Sequence, residues 1–163
     1  MRVENGRIWL WKGLGVGRVM ALDLGSKRIG VAISDGDRRV ATPLTTVHRS
    51  GDRQREHREI RDLVDEWEVE VVVVGLPLSL DGSVGPAASA ALVEAEELRD
   101  TISAPVEPYD ERLTTVTADR VLREQQLDAR ARRRVVDMVA AAVLLQSWLD
   151  GRAAADPDPP GAP

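Results

Sequence analysis

Ala21-Leu22-Asp23-Leu24-Gly25-Ser26-Lys27-Arg28-Ile29-Gly30-Val31-Ala32-Ile33-Ser34 decides the fold of this 163-residue chain. Residues 19–24 form a short apolar run broken by one acid, Asp23. Gly25 and Ser26 are turn residues, and glycine supplies the positive φ that such turns often need. Ile29, Val31 and Ile33 then alternate with smaller or polar residues, the period of a strand. Two strands joined by a tight turn are predicted. A lone carboxylate in a buried strand is costly unless something pairs with it. Asp23 therefore calls for a partner.

Downstream, residues 39–48 read as a third strand carrying Val40, Leu44 and Val47, and Pro43 suits a sheet edge. Ser50-Gly51-Asp52 is a turn and helix cap. Ile60, Leu63, Val64 and Trp67 then mark one face of a helix. The β-branched run 71–74 predicts a central strand buried on both faces. A loop over 75–83 follows, and Pro86 suits the first turn of a second helix with Ala88, Ala91, Leu92, Ala95, Leu98 and Ile102 as its apolar stripe. Residues 105–109 are a weak strand that their prolines assign to an edge. Thr114 or Thr115 caps the next helix, 125–130 interrupts it, and a last helix runs from about 132 to 149. The order β-β-β-α-β-α-β-α predicts an α/β fold, a mixed sheet with helices on both faces.

Three units are expected: a flexible extension over 1–17, one domain over 18–150, and a disordered Pro/Asp/Ala tail over 151–163. A translation start near residues 16–20 fits the extension's lack of pattern, and an intact Met1 in the natural protein would remove it. Hydrophobic residues make up 43% and charged residues 30% of the chain, ordinary for a globular domain. With no cysteine there is no disulfide framework and no thiolate metal site. No apolar run approaches membrane-spanning length, so a cytoplasmic protein with no membrane partner is expected. Net charge is −5, a weak argument against polyanions. Bases nonetheless cluster at Lys27-Arg28, Arg38-Arg39, Arg112, Arg130 and Arg132-Arg133-Arg134, while acids crowd Asp62 to Glu70 and Glu94 to Glu97. Either set also reads as solvated helix faces. His48 and His57 are expected at the surface.

Asp23 ends the first strand, Asp110 and Glu111 follow the last, and Asp137 lies in the C-terminal helix among valines and Met138. Parallel neighbours end on one side, where ligands gather, and a helix laid across that end would bring Asp137 to the others. Clustered carboxylates stay ionised only with cations among them, and oxygen ligands without His or Cys favour Mg²⁺ or Mn²⁺. Two such ions about 3.5–4 Å apart can hold the attacking and leaving oxygens of a phosphodiester. Each acid alone has a plainer reading: Asp23 as a turn acid, Asp110 and Glu111 as helix-start charges, Asp137 as a surface partner of Arg133 or Arg134. Removing Asp137 is expected to relieve repulsion and leave folding intact or improved.

The residues 22–32 quoted above resemble the opening of the YqgF/RuvX family. So do Val74-Gly75-Leu76-Pro77-Leu78 with Asp81-Gly82, Asp110-Glu111-Arg112-Leu113-Thr114-Thr115, and Val136-Asp137 leading into Ala140-Ala141 and Leu144-Leu145-Gln146. The resemblance covers about 18–150. It implies an RNase H-like fold with a five-stranded sheet in the order 3-2-1-4-5. It further implies a nuclease, related to RuvC Holliday junction resolvases, that helps mature the 5′ end of 16S ribosomal RNA within ribosome biogenesis. The implied catalytic residues are Asp23, Glu111 and Asp137, with Asp110 a further metal-ligand candidate beside them, and the implied cofactor is Mg²⁺ or Mn²⁺. Lys27, Arg28, Arg112, Thr114, Arg133 and Arg134 are candidate substrate contacts, holding phosphates without reading sequence. The partner is nucleic acid, precursor rRNA or branched DNA, on a ribosomal subunit precursor, with the protein a monomer or homodimer. Gln125-Gln126 departs from the family's Gly-containing turn. Competing readings are a DNA junction resolvase, a non-catalytic assembly factor, and an actin-like or sugar-kinase ATPase, which would need a second domain.

Overall fold

The computed structural model of the chain describes residues 2–4, 7–9, 17–114 and 129–155, with the backbone alone at 2–4, 7–9, 113, 129–135 and 154. The expected cap at Thr115, the interruption at Gln125-Gln126 and the tail beyond 155 lie outside the described residues. So do the side chains of Arg130 and Arg132 to Arg134.

Five strands form the main sheet: β3 (Arg18–Leu24), β4 (Arg28–Ser34), β5 (Ala41–His48), β6 (Val69–Leu76) and β7 (Val106–Asp110). Their order is β5-β4-β3-β6-β7, which is 3-2-1-4-5 counted from the first of them. β3–β4 and β4–β5 pair antiparallel, and β3–β6 and β6–β7 pair parallel. This is the expected mixed sheet of the RNase H-like α/β fold. Near the N-terminus, β1 (Arg2–Glu4) pairs with β2 (Arg7–Trp9) in a short antiparallel ribbon, where no strand period stood out in the sequence.

The sheet is central because its two faces bury different side chains. Met20, Leu22, Val72 and Val74 face α1 (Arg53–Glu66) and α2 (Pro86–Thr101), where they meet Ile60, Val64, Ala95 and Leu98. Val19, Ala21 and Val73 face α3 (Ala129–Ala155), where they meet Ala141, Leu144, Leu145 and Trp148. The valine run 71–74 thus feeds both layers, as a strand buried on both faces must. No described helix is long and apolar enough to cross a membrane.

Local signals held where the chemistry was local. The Asp52 carboxylate accepts the Arg55 backbone N–H at 3.1 Å and starts α1. Pro86 occupies the first turn of α2. Tertiary contacts altered the rest. α3 continues through Gly151 to Ala155, past the expected boundary at 150. Arg152 explains this: it lies over the Trp148 ring at 4.7 Å and reaches Glu107 of β7 at 2.8 Å. Gly25 has no positive φ. Its glycine requirement is steric, because a Cβ there would overlap the Arg28 carbonyl oxygen. His57, expected at the surface, is buried at 3% exposed, and Glu94, in an acidic run that also reads as a solvated face, is buried with Glu56.

Candidate active site

Strand alternation places the acids. Val19 and Ala21 face α3, so Asp23 two residues on faces it too. By the same rule Val73 and Gly75 share that face in β6, and Glu107 and Tyr109 share it in β7. Glu107 accepts from Trp148 Nε1 at 3.3 Å, and the Tyr109 hydroxyl meets Ser147 Oγ at 2.9 Å. A single 3₁₀ turn, Glu111–Thr114, follows β7, and the Thr114 hydroxyl donates to the Glu111 carbonyl at 2.7 Å. That turn lays the Glu111 side chain back over Gly75. Asp137 lies four residues before Ala141 and seven before Leu144, on the stripe of α3 that packs on the sheet.

Asp23 and Glu111 are joined by a side-chain hydrogen bond. Burial pushes Glu111 up to about 7, and the charge of Asp23, the bond to Asp23 and the charge of Asp110 push the same way. Burial also raises Asp23, with the Asp137 charge adding to it and the Glu111 bond opposing. The field of Asp137 therefore reaches this pair. Asp137 itself is held by Arg28, whose Nε donates to its Oδ2 at 2.6 Å.

Asp110 turns away from the pair. Arg112 grips it with Nη2 at 2.6 Å and Nε at 3.0 Å, and its backbone N–H adds a bond at 3.0 Å. Those bonds hold Asp110 below the usual carboxylate range. Arg112 also reaches the Leu80 carbonyl at 3.3 Å, pinning the loop after β6. Lys27 is exposed at the hairpin turn. Arg133 and Arg134 stand on the first turns of α3.

Among the described residues no three His, Cys, Asp or Glu side chains come together as a ready metal cage. The arrangement instead offers two adjoining carboxyls, Asp23 and Glu111, with the charge of a third, Asp137, reaching Asp23 while Arg28 holds it. Mg²⁺ is commonly bound by one or two carboxylates, with water and substrate phosphate completing its shell. The oxygen-only donor set and the mutual repulsion of the paired carboxyls fit such an ion.

Two residues that position the site were missed in the sequence: Gly30 and Gly75. A Cβ on Gly30 would overlap the backbone carbonyl of Asp137, so α3 crosses β4 in direct backbone contact there. A Cβ on Gly75 would lie 3.0 Å from Glu111 Cγ and collide with its carboxylate. For Gly30 the available signal was an isolated glycine inside a strand pattern, which marks close approach by another chain segment; Gly75, expected in the loop over 75–83, lies within β6.

A family model described as RuvX: Holliday junction resolvase matches residues 17–151. A relative from Rhodococcus opacus (strain B4), named "Putative pre-16S rRNA nuclease", is 51% identical over 142 residues, covering 85% of this chain and 80% of its own length. One of the same name from Anaeromyxobacter sp. (strain Fw109-5) is 50% identical over 136 residues, covering 83% and 98%. Among solved structures, T. thermophilus RuvC in complex with Holliday junction substrate aligns over 85% of this chain and 96% of its own, with a TM-score of 0.52 at 20% identity.

Proposed function

The chain belongs to the RuvX family, and from that premise we propose that it is a metal-dependent nuclease hydrolysing phosphodiester bonds in 5′-end maturation of 16S rRNA precursors. The observation that supports it most is the pairing of Asp23 from β3 with Glu111 from beyond β7, within reach of the charge of Asp137 from α3. Relatives about half identical along most of the chain carry the rRNA nuclease name, which favours RNA as the substrate. A shared fold with RuvC fits the same class of chemistry.

In this reading Asp23 and Glu111 hold Mg²⁺ or Mn²⁺, and Asp137 completes the acidic set. The ion supplies neutralising charge at the phosphate and a water of lowered pKa. Glu111 must ionise for the site to load, so loading is favoured above its raised pKa. Arg28 balances Asp137 before substrate arrives. Lys27, exposed on the same hairpin turn, would meet a backbone phosphate, with Arg133 and Arg134 of α3 as further candidate contacts. Arg112, a further candidate phosphate contact, also organises Asp110 and the Leu80 loop at the rim.

The test is cleavage of precursor 16S rRNA and of four-way DNA with Mg²⁺ or Mn²⁺, by wild type and Asp23→Asn. Metal-dependent RNA cleavage that the variant loses supports the reading. Equal cleavage by the variant overturns it. The family's junction-resolvase description favours the second reading, and preferential cutting of four-way DNA would select it.

A further inference from the structure

We propose that Arg49 is a positioning residue for the Asp23 carboxylate, clamping the hairpin turn between β3 and β4 from the face of the sheet opposite α3. This rests on the nuclease reading above and names how that site is held in register. Arg49 follows β5, and its backbone N–H donates to the Lys27 carbonyl at 3.0 Å. Its Nε donates to the Gly25 carbonyl, also at 3.0 Å. Both ends of the turn therefore hang on one residue. From Gly25 the link to the site is a single further bond, because the Gly25 N–H donates to the Asp23 carbonyl at 3.0 Å.

The guanidinium is itself held by acids from two helices. Nη1 donates to Glu94 Oε1 at 2.7 Å and to Glu56 Oε2 at 3.0 Å, and Nη2 donates to Glu94 Oε2 at 3.0 Å. Glu56 also accepts the Ser50 and Gly51 backbone N–H groups, at 2.5 and 3.2 Å, and Glu94 accepts from His57 Nε2 at 3.2 Å. The side chains of Glu56 and Glu94 are 4% and 5% exposed. A buried ion cluster of this kind is poor evidence for stability, since apolar residues often replace one without loss. What it provides is direction. The planar guanidinium offers donors at fixed angles to one carbonyl and two carboxylates at once, which an ammonium does not. The turn so held carries Lys27 and Arg28 and leads directly from Asp23, so a shift in Arg49 moves an acid of the site and the partner of Asp137 together.

The experiment measures Mn²⁺ affinity of the full chain by electron paramagnetic resonance, with circular dichroism as the check on folding. The variants are Arg49→Lys, Glu94→Gln and, as control, Arg53→Ala. Arg53 pairs with Glu97 at 3.1 Å and also joins α1 to α2, but at the surface and away from the turn. Arg49→Lys should bind Mn²⁺ about 10-fold more weakly, the scale on which outer partners of a metal ligand act. Glu94→Gln should lose a few-fold, and Arg53→Ala should bind as wild type. Native-like folding with unchanged affinity in Arg49→Lys and Glu94→Gln overturns the proposal, as does an equal loss in Arg53→Ala. If Arg49→Lys does not fold, Glu94→Gln decides on the same criterion. Wild type that takes up no Mn²⁺ overturns the nuclease reading first and this one with it, whereas wild-type uptake beside an unaffected Arg49→Lys overturns this one alone.

Discussion

Glu111 carries the most informative single side chain. Its carboxyl, pushed up to about 7 chiefly by burial and next by Asp23, has a higher pKa folded than unfolded. The stability it contributes is therefore complete below its unfolded value of about 4.5 and is lost as pH rises through about 7. Metal-free protein should melt progressively lower between pH 5 and pH 8, and added Mn²⁺ should flatten that slope by binding the ionised form. Glu111→Gln removes the charge at its source. It should stabilise metal-free protein at pH 8 by about 1–2 kcal/mol, after allowance for solvent screening, and abolish cleavage. Thermal melts at the two pH values check both. The Arg28 contact argues against the expectation that removing Asp137 relieves repulsion. Arg28 already neutralises it at 2.6 Å, so Asp137→Ala strands a part-buried guanidinium and should cost up to about 1 kcal/mol without metal. The candidate acids were legible because a carboxylate in a strand or a valine-rich helix stands out from its neighbours. Their partners were not, because Arg28 and Asp137 are 109 positions apart and only the fold brings them together. The same distance blindness hid His57 and Glu94, whose polar side chains read as surface until Arg49 and the fold account for them.

At the scale of elements, two glycines decide how the acids meet. Gly30→Ala would drive a methyl group into the Asp137 carbonyl and force α3 from β4, an overpacking cost of about 1–3 kcal/mol seen in chemical denaturation. Gly75→Ala meets a side chain instead of backbone, so its cost in stability should be smaller while Glu111 swings out of reach of Asp23. Cleavage should fall about 10-fold or more for Gly75→Ala even where the melting temperature barely moves. The strand periods, the Asp52 cap and Pro86 were readable because each depends on neighbours along the chain. The length of α3 was not. Its last turn persists because Arg152 finds Glu107 and Trp148, contacts that no local pattern announces.

Across the whole molecule, the order β5-β4-β3-β6-β7 puts the parallel strands β3, β6 and β7 side by side with their carboxyl ends together. α3 crosses the same face, so segments from three regions of the chain share one rim. Alternation of strands and helices made the mixed α/β sheet readable, and the strand order followed from family resemblance, because antiparallel and parallel neighbours can be arranged in several ways on periodicity alone. The net charge of −5 makes nucleic-acid binding depend on local bases. Lys27→Ala should thus lower the salt dependence of RNA binding by about 0.7 in the slope of log K against log salt, measured by titration at several ionic strengths. The most direct test of the convergence itself is a crystal of the protein soaked in Mn²⁺, read by anomalous scattering. The account predicts manganese density between the Asp23 and Glu111 carboxylates, with the direct bond between them gone. Manganese bound elsewhere, with Asp23 and Glu111 still bonded to each other at pH 8, would contradict it.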